Sequence, residues 1–231
     1  MRNQLLIPSG YNTHPRFPLL HVVSYMSMNF GKFLTVATLG LGLMVSACSK
    51  GGDAVKSDDM VLGSETAPIT LVEYASVTCS HCAQFNETVF PDIKKNYIDT
   101  GKVKYIFREF LTPPNDVSAA GVLLARCAGK DKYFQVIDSV MRSQREIFET
   151  GDAKGVLLRV AKTAGLSDDD FNKCVTDPEG LKRINANMEA AIKEHNITGT
   201  PTFLINGKKY DYKGGDIKEF DAAFAAASPA K

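Results

Sequence analysis

The 231-residue chain has no run of about 20 apolar residues, so nothing in it reads as a membrane-spanning helix. It also has no basic block. Lysine and arginine number 27 against 26 acidic residues, and beyond residue 47 the balance is 24 against 26. A nucleic-acid partner would leave a basic footprint, and this chain carries none. There is no phosphate loop, no metal-ligand cluster and no hydrolase triad. What remains is ordinary globular composition, 44% hydrophobic and 23% charged. The length suits one sizeable domain with room for an insertion.

Residues 1–47 lack acidic side chains altogether. Lys32 precedes an uncharged stretch, Phe33–Val45, which is too short to span a bilayer and fits the apolar core of an export signal. Val45-Ser46-Ala47-Cys48 resembles a bacterial lipobox, in which Cys48 would be lipidated and become the mature N-terminus. The small residues also permit ordinary cleavage after Ala47, leaving a soluble periplasmic protein. Several acyl chains would hold the protein on a membrane where one would not. Met28 to Lys32 already reads as a complete start, so residues 1–27 are consistent with an over-extended gene start. Residues 48–59, rich in glycine and charge, read as a tether; about ten such residues span roughly 17 Å.

Cysteine is sparse, at five residues: Cys48, Cys79, Cys82, Cys127 and Cys174. With Cys48 assigned to lipid, four remain, an even number in a disulfide-permissive compartment. Cys79 and Cys82 form the sole C-x-x-C. Cys127 and Cys174 are left as a candidate structural pair, the alternative being two buried thiols. A disulfide there would stabilise by up to about 4 kcal/mol in the chain-entropy account.

The C-x-x-C sits in a telling context. Ile69–Val77 is β-branched and aromatic, which predicts a buried strand. Phe85, Val89, Ile93 and Tyr97 then recur every four residues, which predicts a helix ending near Gly101 and kinked at Pro91. Cys79 therefore falls where a strand hands over to a helix N-terminus, and the helix dipole and free N–H groups there stabilise a thiolate. His81 would add positive charge if protonated. Cys82, one turn along, is placed to resolve a mixed disulfide. Half of a zinc site is the competing reading, but no second C-x-x-C or C…H pair completes it. Glu73 shares a strand face with Ile69 and Leu71. A buried carboxylate there could exchange a proton with Cys82; an edge-strand glutamate reaching water is the alternative.

Four segments together resemble the DsbA family: Val72-Glu73-Tyr74, Cys79-Ser80-His81-Cys82, Tyr105 to Phe110, and Gly199-Thr200-Pro201 through Gly207. The resemblance covers roughly Val61 to Ala227. It implies an α/β protein with a thioredoxin fold and an inserted all-helical subdomain, acting in the periplasm. It also implies Cys79 as nucleophile, Cys82 as resolving thiol, and a cis Thr200–Pro201 bond facing them where clients bind. Two departures bear on direction. Ser80 stands where the best-known oxidase has proline, and Thr200 stands where it has valine and the isomerases have threonine.

The expected layout assigns residues 60–112 and 191–228 to the thioredoxin-fold part and 113–190 to the insertion. Val103–Phe110 predicts a strand, and Thr112-Pro113-Pro114 a break. Helices are expected over Ala119–Ala128, Tyr133–Met141, Val156–Ala164, Asp168–Val175 and Pro178–Glu194. His195 reads as a charge at a helix C-terminus. Lys208–Tyr212 predicts a return strand, and Ile217, Phe220 and Phe224 the buried face of a last helix. The functional expectation is a monomeric disulfide oxidase that needs no cofactor, acts on exported cysteine-containing proteins and is reoxidised by a membrane redox partner. A reductase or isomerase, or a lipid-anchored chaperone-like binding module, are the alternatives.

Overall fold

The computed structural model describes residues 55–229. The expected export signal over residues 1–47, the expected lipidation site Cys48 and the first part of the expected tether lie outside the described residues.

Strand β1 (Met60–Leu62) is followed by β2 (Ile69–Ala75), helices α1 (Ser80–Thr88) and α2 (Phe90–Ile93), and β3 (Val103–Glu109). Six helices come next: α3 (Asn115–Cys127), α4 (Lys130–Arg142), α5 (Gln144–Thr150), α6 (Ala153–Thr163), α7 (Asp168–Val175) and α8 (Pro178–His195). The chain then returns through β4 (Thr202–Ile205), β5 (Lys208–Tyr210) and α9 (Ile217–Ala227). The sheet order is β1-β3-β2-β4-β5, with β2 and β3 parallel and the other pairs antiparallel. The central strands are buried almost throughout because both faces are covered. Ile69 and Leu71 share a core with Phe85, Phe203, Phe220 and Phe224. Val72, Tyr74, Ile106 and Leu204 pack on the other face with Ala191 of α8 and Ile197.

The helix expected from the C-x-x-C to Gly101 is broken rather than merely kinked. Val89, at φ −116°, closes α1, and Pro91 occupies the first turn of α2. That turn is where a missing N–H costs least. A wide turn over Lys94–Ile98 finishes the segment, with Asp99 N–H bonding to the Lys94 carbonyl at 2.8 Å.

Strand β1, helix α5 and the tether also differ from the sequence-based expectation. Helix α5 has seven residues and only two apolar ones, Ile147 and Phe148, too few to show a helical period. The tether is also shorter than read. Arg108 forks onto Asp59 at 3.0 and 2.8 Å, Asn187 donates to Asp58 at 2.8 Å, and Arg126 donates to the Asp58 carbonyl at 3.0 Å. A buried guanidinium needs a carboxylate, and the charged residues that looked like a solvated linker supply it. In the insertion, Cys127 of α3 and Cys174 of α7 are joined as a disulfide, with Cα atoms 5.8 Å apart.

Candidate active site

Strand β2 ends at Ala75, and four residues later Cys79 caps helix α1. The cap is made by sulfur. Cys79 Sγ accepts the Cys82 N–H at 3.3 Å, so the nucleophile candidate occupies the place where a helix leaves its donors free. Across the cleft, Cys79 Sγ–H reaches the Thr200 carbonyl at 3.4 Å, and the Thr200–Pro201 peptide is cis. Cys79 is half-buried and Cys82 wholly buried, both as free thiols.

The electrostatics separate the two sulfurs. Hydrogen bonding from the Cys82 thiol lowers the Cys79 pKa most. Burial opposes it, but the Thr200 side chain and the N–H groups of Cys82 and His81 bring it to about 5. Burial pushes Cys82 strongly upward, reinforced by its hydrogen bond to Cys79 and by the negative charge of Glu73. Cys79 is thus the thiolate and Cys82 holds its proton. The His81 imidazole is exposed, and the backbone N–H of His81 is what reaches the sulfur.

Glu73 does not sit on an edge. It lies on the central strand β2, flanked by Phe107 of β3 and Phe203 of β4, and is 2% exposed. Burial raises its pKa to about 8, a hydrogen bond from Tyr105 partly opposing and the Cys79 charge adding to the rise. The Tyr105 hydroxyl donates to Oε2 at 2.5 Å, while Oε1 accepts no hydrogen bond from the described residues.

The structure brings Glu73, Cys79, His81, Cys82, Thr200 and Pro201 to one place. Beside them His81, Gln84, Phe85, Pro201, Tyr212 and Lys213 border a cleft of about 230 Å³. Cys127 and Cys174 belong to the insertion instead. His195 ends α8 and lies 3.9 Å from Glu194. Among the described residues, no third His, Cys, Asp or Glu is placed to complete a metal site with the two thiols.

Sequence reasoning missed the supports of the active-site loop. Gln144, at the start of α5, is buried and donates through Nε2 to the carbonyls of Val77 at 2.7 Å and Cys79 at 3.0 Å. Ser76 Oγ bonds Ser118 at 2.7 Å and Thr78 at 3.0 Å, and Thr78 bonds the Thr112 carbonyl at 2.8 Å. Gly121 lets α3 approach this loop, since a Cβ there would meet Val77 Cγ2 at 2.9 Å. No local pattern announces these long-range contacts; a buried glutamine outside any obvious motif is the faint signal.

A family model described as Thioredoxin matches residues 56–223. A Rickettsia bellii protein named as a protein-disulfide oxidoreductase is 33% identical over 154 residues, covering 66% of this chain and 59% of that protein. The match thus spans less than two thirds of that relative. The crystal structure of α-DsbA1 from Wolbachia pipientis superposes with a TM-score of 0.67 at 32% identity, covering 75% of this chain and 92% of that one. BdbD from Bacillus subtilis, in its oxidised form, shares the fold with a TM-score of 0.63 at 22% identity, covering 73% and 92%. The architecture is a thioredoxin fold carrying an inserted helical subdomain.

Proposed function

Because the chain belongs to the thioredoxin superfamily, in its DsbA-like branch, we propose that it is an exported thiol–disulfide oxidoreductase that oxidises client cysteines through Cys79 and Cys82. The observation that carries this reading is the Cys79 sulfur capping α1 beside Thr200–Pro201, with Cys82 and an acid buried behind it.

The chemistry follows from that arrangement. A client thiolate attacks Cys79 Sγ of the oxidised protein, the Cys79–Cys82 bond breaks, and Cys82 leaves with the electron pair. Glu73 supplies a proton to it. A second client thiolate then attacks the client sulfur of the mixed disulfide, and Cys79 departs as a thiolate. The client gains a disulfide and the protein is left with the Cys79 thiolate and the Cys82 thiol. Because the Cys79 thiolate is stabilised as the leaving group, the reduced protein is favoured and the disulfide is oxidising. A pKa of about 5 for Cys79 lies below the roughly 7 of thioredoxin. The cleft beside Pro201 suits an extended client segment, and a membrane redox partner would restore the disulfide. Val45-Ser46-Ala47-Cys48 supports export and lipid anchoring in the periplasm. Nothing in the chemistry asks for a cofactor, and a monomer suffices.

One feature favours a second reading. Thr200 precedes Pro201, as in isomerases, which suits a reductase or isomerase kept reduced by its partner. Equilibration with glutathione, read by alkylation and mass shift, separates the two. The oxidase reading expects a potential clearly less negative than the roughly −270 mV of thioredoxin; a thioredoxin-like value favours the second. Cys79→Ser should abolish exchange and Cys82→Ser should trap mixed disulfides with clients. Full activity in Cys79→Ser ends the oxidoreductase reading. Cys48→Ala should release the protein from membranes and stop lipid labelling; unlipidated wild-type protein removes the anchor.

A further inference from the structure

Glu73 has two oxygens in different circumstances. Oε2 receives the Tyr105 hydroxyl at 2.5 Å, and Oε1, equally buried, has no hydrogen-bond partner among the described residues. Tyr105 lies on β3 opposite Leu71, so its hydroxyl reaches Glu73 diagonally across the parallel pair. Its ring is packed against Phe90 and Phe134, with centroids 4.7 and 5.8 Å away. It is therefore held in place without the hydroxyl's help.

A phenol is a far weaker acid than a carboxylic acid, so in this pair the tyrosine keeps its proton and donates. Burial and the Glu73 charge raise the Tyr105 pKa further, which strengthens that assignment. Oε2 is then an acceptor in both protonation states of Glu73. A proton arriving at the carboxylate finds one open oxygen.

We propose that Tyr105 is a positioning residue for proton exchange, and that its hydrogen bond to Oε2 confines the proton traded between Glu73 and Cys82 to Oε1. This rests on Cys79 and Cys82 being the redox pair. In the oxidising direction the Oε1–H bond breaks, the Cys82 sulfur gains the proton, and Glu73 is left as a carboxylate bonded by Tyr105. In the reverse direction Cys82 S–H gives its proton to Oε1, and the new thiolate attacks Cys79 Sγ of a mixed disulfide, forming the Cys79–Cys82 bond as the mixed disulfide breaks and the other partner's thiolate leaves. Tyr105 touches neither sulfur in this scheme. It acts by stabilising the carboxylate and by fixing which oxygen reacts.

The test uses reduced protein and glutathione disulfide, with acid quench and mass analysis to separate the first attack by Cys79 from closure by Cys82. In Tyr105→Phe the carboxylate loses its donor while the ring packing stays. The pH midpoint of closure should rise by about one to two units, the size expected for one hydrogen bond to a charged group. The attack by Cys79, isolated in a Cys82→Ser background, should keep its own pH profile. Replacing Tyr105 by a fluorotyrosine, a stronger donor, should move the closure midpoint the opposite way. An unmoved closure profile in both variants, or an equal shift in the Cys79 attack, overturns the proposal. Failure of the redox reading looks different: wild-type protein then shows no closure step at all.

Discussion

Two glutamates lie buried on the central parallel strands, Glu73 on β2 and Glu109 at the end of β3, at 2% and 3% exposure. Glu109 is fully engaged. Arg126 clamps it with two bonds of 2.6 and 2.8 Å, and Tyr133 donates to it at 2.9 Å. The same polar layer continues through Arg126 to the Asp58 carbonyl, with Arg108 bound to Asp59 beside it. Among the described residues, Glu73 has a phenol on one oxygen and no salt-bridge cation. Burial is therefore shared by a structural carboxylate and a chemical one. The difference lies in the counter-charge: Arg126 binds Glu109 into the structure, whereas burial raises the pKa of Glu73 to about 8.

The largest expected effect falls on the paired side. Arg126→Met should leave Glu109 buried without its cation and cost about 3–5 kcal/mol in urea unfolding at neutral pH. A loss under about 1 kcal/mol would mean that the clamp holds little, and the contrast with Glu73 would collapse. A smaller effect is expected on the redox side. Cys79 has its folded pKa depressed from the ordinary thiol range to about 5, so its stabilising contribution is present above the unfolded value and is lost as pH falls through 5. It exists only when Cys79 is a thiol. The reduced protein should thus unfold at a higher denaturant concentration than the oxidised protein at neutral pH, and the gap should close towards pH 5. A gap that ignores pH over that range would show that the thiolate is not what favours the reduced form.

How much of this was legible in the sequence depends on range. Strands β2 and β3 were legible because both faces of each are buried, and the Asp168–Val175 helix because Ser167 and Asp170 form a capping box around an amphipathic turn. The C-x-x-C at a strand-to-helix junction was legible for the same local reason. Strand β1 was not, since three residues beside a charged stretch carry no period. The tether's docking, the Gln144 clamp and the Tyr105–Glu73 bond were also illegible. Each joins residues 32 to 129 positions apart, and only the sheet register and the packing of the insertion bring them together. Glu73 itself shows the boundary. Its face could be read from alternation, but its lack of a cation could not.

The central claim is that Glu73 is a buried acid with no counter-charge among the described residues. Its folded pKa is raised from the ordinary carboxylate range to about 8, so it favours the folded state when protonated and disfavours it progressively as the unfolded chain ionises first. The direct measurement is unfolding free energy against pH for wild type and Glu73→Gln, both with Cys79 and Cys82 as thiols. Wild type should lose stability relative to Glu73→Gln at up to about 1.4 kcal/mol per pH unit between roughly pH 5 and 8, with the two curves parallel outside that window. Curves that stay parallel from pH 5 to 8 would show that Glu73 titrates as an ordinary carboxylate, and would contradict the account.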